Sequence, residues 1–223
     1  MIEIKTLKQA RAITGGISNK NRKMPFYSYG LPVKNCITGS KLAKIKKLDK
    51  IPTCKLCYAK RNMYNTQAVK KAHAKRLKGI RHPYFIKAMV FEINHLTKNQ
   101  TEKKYFRWHD SGDLQSMKHL LKLIKIALSL PKIKFWLPTN ERKFIKSYLR
   151  SKRNFPINFN ERISSIFIDH EPSKKYEFNT SSLFKKIKPI NSKICYSYKR
   201  HNQCGNCRAC WSKNISNIAY KTH

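Results

Sequence analysis

Leu114, Met117, Leu120, Leu121, Ile124, Ala127 and Leu128 recur every three or four positions, the period of one helix face, and leave Lys118, Lys122 and Lys125 turned to water. Pro131 ends that helix, and Asp113 is placed to cap its start. Residues 66 to 78 carry no interior proline and read as a basic helix. A second runs over 83 to 97, with Pro83 in its first turn. Three apolar runs read as strands: Tyr105 to His109, Ile133 to Leu137 and Ile163 to Ile168. Thr139 and Asn140 form a polar exit that can cap a helix from Glu141 to about Ser151.

Strand, turn and helix in alternation predict an α/β chain with a parallel sheet and ligands at the carboxyl ends of its strands. The turns 110–113, 138–140 and 169–171 are then expected on one edge. With 223 residues against the ~250 of a closed eight-unit barrel, the pattern predicts a partial (β/α) barrel. Residues 1–190 are expected to form that barrel, and 191–223 a cysteine-rich C-terminal segment packed on it.

Composition adds a charge. Lys and Arg number 49 against 11 Asp and Glu, a net +38, while 40% hydrophobic residues suffice for a packed core. Lysine is inflated by the Asn/Ile/Lys bias of A+T-rich coding, so the scarcity of acid is the stronger sign, and it points to a polyanion such as nucleic acid. Lys60, Arg61, Lys70, Lys71, Lys75, Arg76, Lys199, Arg200 and Arg208 flank the cysteines and are the candidate phosphate contacts. Tyr58, Tyr64, Tyr196, Tyr198 and Trp211 are candidates for base stacking. No apolar run approaches the ~20 residues of a membrane span, and the start of the chain lacks a signal-peptide core. A soluble, cytoplasmic protein without a membrane partner is expected. In that reducing compartment an odd count of seven cysteines argues for metal rather than disulfides.

The cysteines divide into two groups. Cys204-x2-Cys207-x2-Cys210, with Cys195 upstream, offers four thiolates, a set that suits a [4Fe–4S] cluster or tetrahedral zinc. Lys199, Arg200, His201 and Arg208 would favour the thiolate form. Cys36, Cys54 and Cys57 are one ligand short. They suit a cluster with one open iron, or a zinc completed by His73, His82 or water. Between the groups, His109-Asp110-Ser111-Gly112-Asp113 joins a strand to a helix, and its glycine lets backbone approach a small ligand.

Early cysteines ending in Cys54-x2-Cys57-Tyr58-Ala59, a strand ending in Ser-Gly-Asp and a cysteine-rich close resemble the radical S-adenosylmethionine proteins. More closely, Arg107-x-His109-x-Ser111-Gly112-Asp113, the strand from Ile133 to Thr139, and Cys204-Gly-x-Cys207-x2-Cys210-Trp211 with terminal His223 resemble the gene 88 family of phage proteins. The resemblance implies that Cys36, Cys54 and Cys57 hold a [4Fe–4S] cluster whose open iron takes S-adenosylmethionine, although 17 residues separate Cys36 from Cys54 where the radical family has C-x3-C-x2-C. It implies an auxiliary cluster on Cys195, Cys204, Cys207 and Cys210, and a cofactor pocket from Arg107, His109, Ser111, Gly112, Asp113 and Thr139. One electron would then cleave the sulfonium to a 5′-deoxyadenosyl radical. It also implies a phage protein working within the host cell. No catalytic residue is assigned.

Two other classes compete. A zinc- or cluster-stabilised nucleic-acid-binding protein without catalysis explains charge and cysteines equally well. A magnesium nuclease built on His109, Asp110 and Asp113 has few carboxylates for two metals.

Overall fold

The computed structural model describes residues 3–21, 23–46, 49–99, 104–151, 153–172 and 178–222; His223 lies outside them. The helices are α1 (Leu7–Thr14), α2 (Ile37–Ala43), α3 (Gln67–Gly79), α4 (Phe85–Thr97), α5 (Met117–Ser129) and α6 (Arg142–Arg150). The strands are β1 (Tyr27–Tyr29), β2 (Lys104–Trp108), β3 (Ile133–Thr139), β4 (Phe159–Ser164), β5 (Thr180–Phe184), β6 (Lys193–Cys195) and β7 (Asn217–Lys221). They form one parallel sheet in the order β1-β2-β3-β4-β5-β7-β6. The α/β expectation holds, and among the described residues the sheet has two free edges and is not a closed barrel. β7 enters between β5 and β6, which breaks the sequential order of a barrel wall, and β1 and β6 are separate edges. The segment after 190 contributes β6 and β7 to this same sheet.

Local chemistry explains most helix ends. Thr66 caps α3 by accepting from Val69 N at 3.4 Å, and α1 opens with a capping box between Thr6 and Gln9. Helix α5 starts later than its apolar stripe suggests. Ser116 is its cap, accepting from His119 N at 3.1 Å, while Leu114 is buried ahead of the helix and Leu128 is 62% exposed. Lys122 is only partly exposed, and its Nζ turns to the end of α3, donating to Ile80 O at 2.8 Å and His82 O at 3.3 Å.

The third expected strand also moves. β4 occupies 159–164 because Phe159 pairs with Phe135 and polar Asn160 and Arg162 are buried on the sheet. Ser165 N still donates to Ser181 O of β5 at 2.7 Å, and residues 166–168 then bind the first cysteine loop. Ile166 O accepts from Thr53 N at 2.8 Å, Ile168 N donates to Ile51 O at 2.9 Å, and Pro52 bridges Phe167.

Strand alternation gives the sheet two unlike faces. Phe106, Trp108, Phe135, Leu137 and Phe159 pack with α4, α5 and α6 in the main core. Tyr105, Trp136 and Tyr220 pack on the other face with Phe26, Cys210 and Trp211, so the second cysteine segment covers it. No helix among the described residues is long and apolar enough to cross a membrane.

Candidate metal centre

The first cysteine loop lies across the carboxyl ends of β3 and β4. Cys36 directly precedes α2, and Cys54 lies in a single 3-10 turn, Thr53–Leu56, that Cys57 follows. Thr53 Oγ1 donates to Ser165 O at 2.9 Å. Thr38 donates from its N and Oγ1 to the two carboxylate oxygens of buried Glu141, at 2.7 and 2.9 Å. Asn140 Nδ2 donates to Cys54 Sγ at 3.4 Å. Between the thiols stands Gly39: a Cβ there would lie 3.4 Å from Cys54 Sγ, 3.9 Å from Cys36 Sγ and 3.2 Å from Cys36 Cβ.

Burial pushes the Cys36 thiol up and the Cys54 thiol up to about 11, and nearby Cys57 and Asp113 add to both shifts. Both therefore carry protons at neutral pH, and a thiophilic cation would displace them. Among the described residues no group of three or more His, Cys, Asp or Glu already stands in a metal-binding arrangement. The donor set fits a thiophilic group by kind, and two of its three thiols converge over Gly39. His73 and His82 are placed elsewhere. His73 Nε2 lies against Gly30 beside Asp110, and His82 Nδ1 accepts from Tyr84 N at the start of α4.

The Ser-Gly-Asp turn is buried and already bonded. Ser111 Oγ donates to Leu31 O at 2.9 Å, and Leu31 N donates back to Ser111 O at 2.8 Å. Gly112, at φ +75°, leaves no room for a Cβ, which would lie 2.6 Å from Leu31 Cβ. Asp113 is not the cap of α5. It accepts from Leu114 N at 2.7 Å, Thr139 Oγ1 at 2.5 Å and Asn140 N at 2.8 Å. Burial nonetheless pushes its carboxyl up to about 7, against those bonds. Thr139 in turn accepts from Glu141 N at 3.0 Å. These residues set the β3 exit, and through Asn140 they reach Cys54.

His109 is buried, and its ring nitrogens have no hydrogen-bond partner among the described residues. Nδ1 lies 4.0 Å from Asp113 Oδ1, and the ring centroid is 5.4 Å from that of His119. Burial lowers both histidines, so they are neutral. Arg107 points to the opposite face, as alternation requires. Its guanidinium sits 4.6 Å over the Trp136 ring, donates to Tyr58 OH at 3.0 Å and meets Met24 Sδ at 3.8 Å. Tyr58, next to Cys57, donates to Asp110 O.

Arg107 also borders the second thiol group. Cys204 N donates to Lys23 O at 3.0 Å, beside Met24, and the Cys204 thiol feels the Arg107 charge. Cys210 Sγ lies 3.2 Å from Tyr220 OH, and burial pushes its thiol up to about 12. Cys195 ends β6. Buried Arg162 fastens this segment to the sheet, donating to Thr180 O at 3.1 Å, Cys210 O at 3.2 Å, Ser212 O at 2.7 Å and Ile215 O at 2.8 Å.

A family model described as gene product 88 matches residues 5–213, a span that takes in all seven cysteines. The chain belongs to the gene product 88 family. That membership bears out the gene 88 resemblance and assigns no radical chemistry. No curated protein and no solved structure matches the chain.

The expected phosphate contacts divide on inspection. Lys60, Arg61, Lys70, Lys71, Lys75, Lys199 and Arg200 are exposed. Arg76 is not available to phosphate: it is buried, donates from Nε to Gly16 O at 2.7 Å and lies 5.4 Å over the Tyr29 ring. Arg208 is half-buried, and its guanidinium turns back to Gly205 O at 2.6 Å and Cys207 O at 3.0 Å. Sequence reasoning missed Gly39, Asn140, Glu141 and Arg162. Glu141 and Gly39 had a signal in rarity, as one of 11 acids and one of 7 glycines; Arg162, one basic residue among many, had none.

Proposed function

We propose that the protein is an iron–sulfur protein whose three-thiol centre takes S-adenosylmethionine at an open iron, and whose basic surface brings it to nucleic acid. The observation that carries this reading is the convergence of Cys36 and Cys54 over Gly39 at the strand carboxyl ends, where parallel α/β sheets bind ligands. Cys36, Cys54 and Cys57 would hold the first cluster, and Cys195, Cys204, Cys207 and Cys210 the second. When bound, and once reduced by an external one-electron donor, the first cluster would pass that electron to the sulfonium of its ligand. Asp113 and Thr139 fix the β3 exit, Asn140 orients the Cys54 thiol, and Glu141 holds the start of α2.

Anaerobic purification followed by iron, sulfide and S-adenosylmethionine-cleavage assays tests the proposal. Brown protein with about four irons per cluster and reductive cleavage supports it; abundant zinc, no sulfide and no cleavage overturns it.

The second reading is a metal-stapled nucleic-acid-binding protein without catalysis. It is favoured by the way Arg162 and Tyr220 build the second thiol segment into the sheet as a cover. On that reading Asp113→Asn lowers stability and leaves nucleic-acid binding intact.

A further inference from the structure

On the second face of the sheet an open groove of about 490 Å³ runs beside the second thiol segment. Its floor is aromatic and apolar, with Tyr105, Trp211 and Ile215, and exposed Lys134 and Lys193 line it. No acid pairs with either lysine among the described residues. Arg208 is fixed against the floor, 4.4 Å over the Phe26 ring and 5.6 Å over the Tyr105 ring. The exposed thiol residue Cys207 forms part of the wall.

The volume lies within the ~300–1,000 Å³ typical of small-ligand sites, too little to take in a duplex. Unpaired cations above an aromatic floor complement a phosphate attached to an unstacked base. An acidic peptide would use the lysines and leave the rings idle. A paired base inside a duplex cannot reach such a floor.

We infer that this groove binds a short run of single-stranded nucleic acid, with separate phosphates on Lys134 and Lys193 and a base against the partly exposed Tyr105 ring. The inference rests on the nucleic-acid part of the proposed function and gives that partner a place. Strand held there lies against Cys207, so the four-thiol segment borders the bound polymer.

The test is binding of a fluorescent oligothymidylate of about 10 nucleotides to the full chain across a salt series. Lys134→Glu with Lys193→Glu should weaken binding about tenfold or more. Losing two phosphate contacts should lower the salt slope by roughly 1.4. The matched swap Lys118→Glu with Lys125→Glu, on the exposed side of α5, should cost less than about threefold, as screened long-range charge does. Tyr105→Leu should weaken oligothymidylate and leave the salt slope unchanged, since stacking carries no counterion release. Equal losses in both charge swaps, or polyglutamate displacing the oligonucleotide at equal charge concentration, would overturn the groove. A wild-type chain that does not bind the oligonucleotide would remove the nucleic-acid reading as well.

Discussion

Gly39 is a helix residue whose missing side chain leaves the space into which two thiols project. Alanine there should favour α2 by up to about 1 kcal/mol, yet its Cβ would stand 3.2 Å from Cys36 Cβ, closer than ordinary contact, and would touch Cys54 Sγ at 3.4 Å, so the thiols must shift. We expect Gly39→Ala to melt within a few degrees of wild type while its Co²⁺ affinity at the three-thiol set falls about tenfold, read from thiolate-to-cobalt absorption. Buried titratable groups make a second prediction, in which the sign decides. Burial raises Glu161 to about 7, so the folded chain holds a proton that the unfolded chain releases, and Glu161 loses stability as pH rises from about 4 to 7. His119 works oppositely. Burial lowers it to about 3, so its contribution is complete above about 6.5 and is lost as pH falls toward 3. Thermal melts of apo-protein should therefore show Glu161→Gln gaining stability with pH more steeply than wild type, and His119→Gln less steeply.

Among elements, the join between the second thiol segment and the sheet runs through buried Arg162 and its neighbour Asn160, which share the carbonyls of Cys210 and Ser212. Asn160 still reaches Cys210 O and Ser212 O, so Arg162→Ala strips the donor chiefly from Thr180 O and Ile215 O, at ~1–3 kcal/mol each, and a loss of about 2 kcal/mol or more is expected. Hydrogen exchange should rise first over residues 200–216, ahead of α4 and α5. The long regular elements were legible: α3, α4, β2 and β3 fall within a residue or two of their periodic patterns. β1 and β6 were not, since three residues give too short a run for alternation to register. β4 was misplaced because its buried Arg162 and Asn160 read as loop chemistry, while apolar 166–168 serve the cysteine loop. At the site, the thiols were legible from spacing. The Ser-Gly-Asp turn was legible as a feature but not in its bonds, since only the fold shows that Leu31, Thr139 and Asn140 use its polar atoms.

For the molecule as a whole, Arg107 links the neighbourhoods of the two thiol groups, 138 positions apart between Cys57 and Cys195. Arg107 reaches Tyr58 on one side and the Met24 segment beside Cys204 on the other. Two thiolate-rich centres accumulate negative charge, and a half-buried guanidinium between them offsets both. Arg107→Met should then weaken Co²⁺ at both sets by about tenfold, ~1.4 kcal/mol, whereas exposed Lys199→Met should leave both unchanged; loss at one set only would break the link. The order of the sheet also sets a sequence in time. β6 pairs only with β7, which comes later in the chain, so the strand carrying Cys195 has no place to dock until β7 is seated between it and β5. The first thiol loop needs only β3 and β4 and can mature while synthesis continues. On the proposed metal-binding reading, capture of metal by the second set would wait for a late, long-range closure, and an intermediate stalled at that step would bear one centre and a loose, thiol-rich flap.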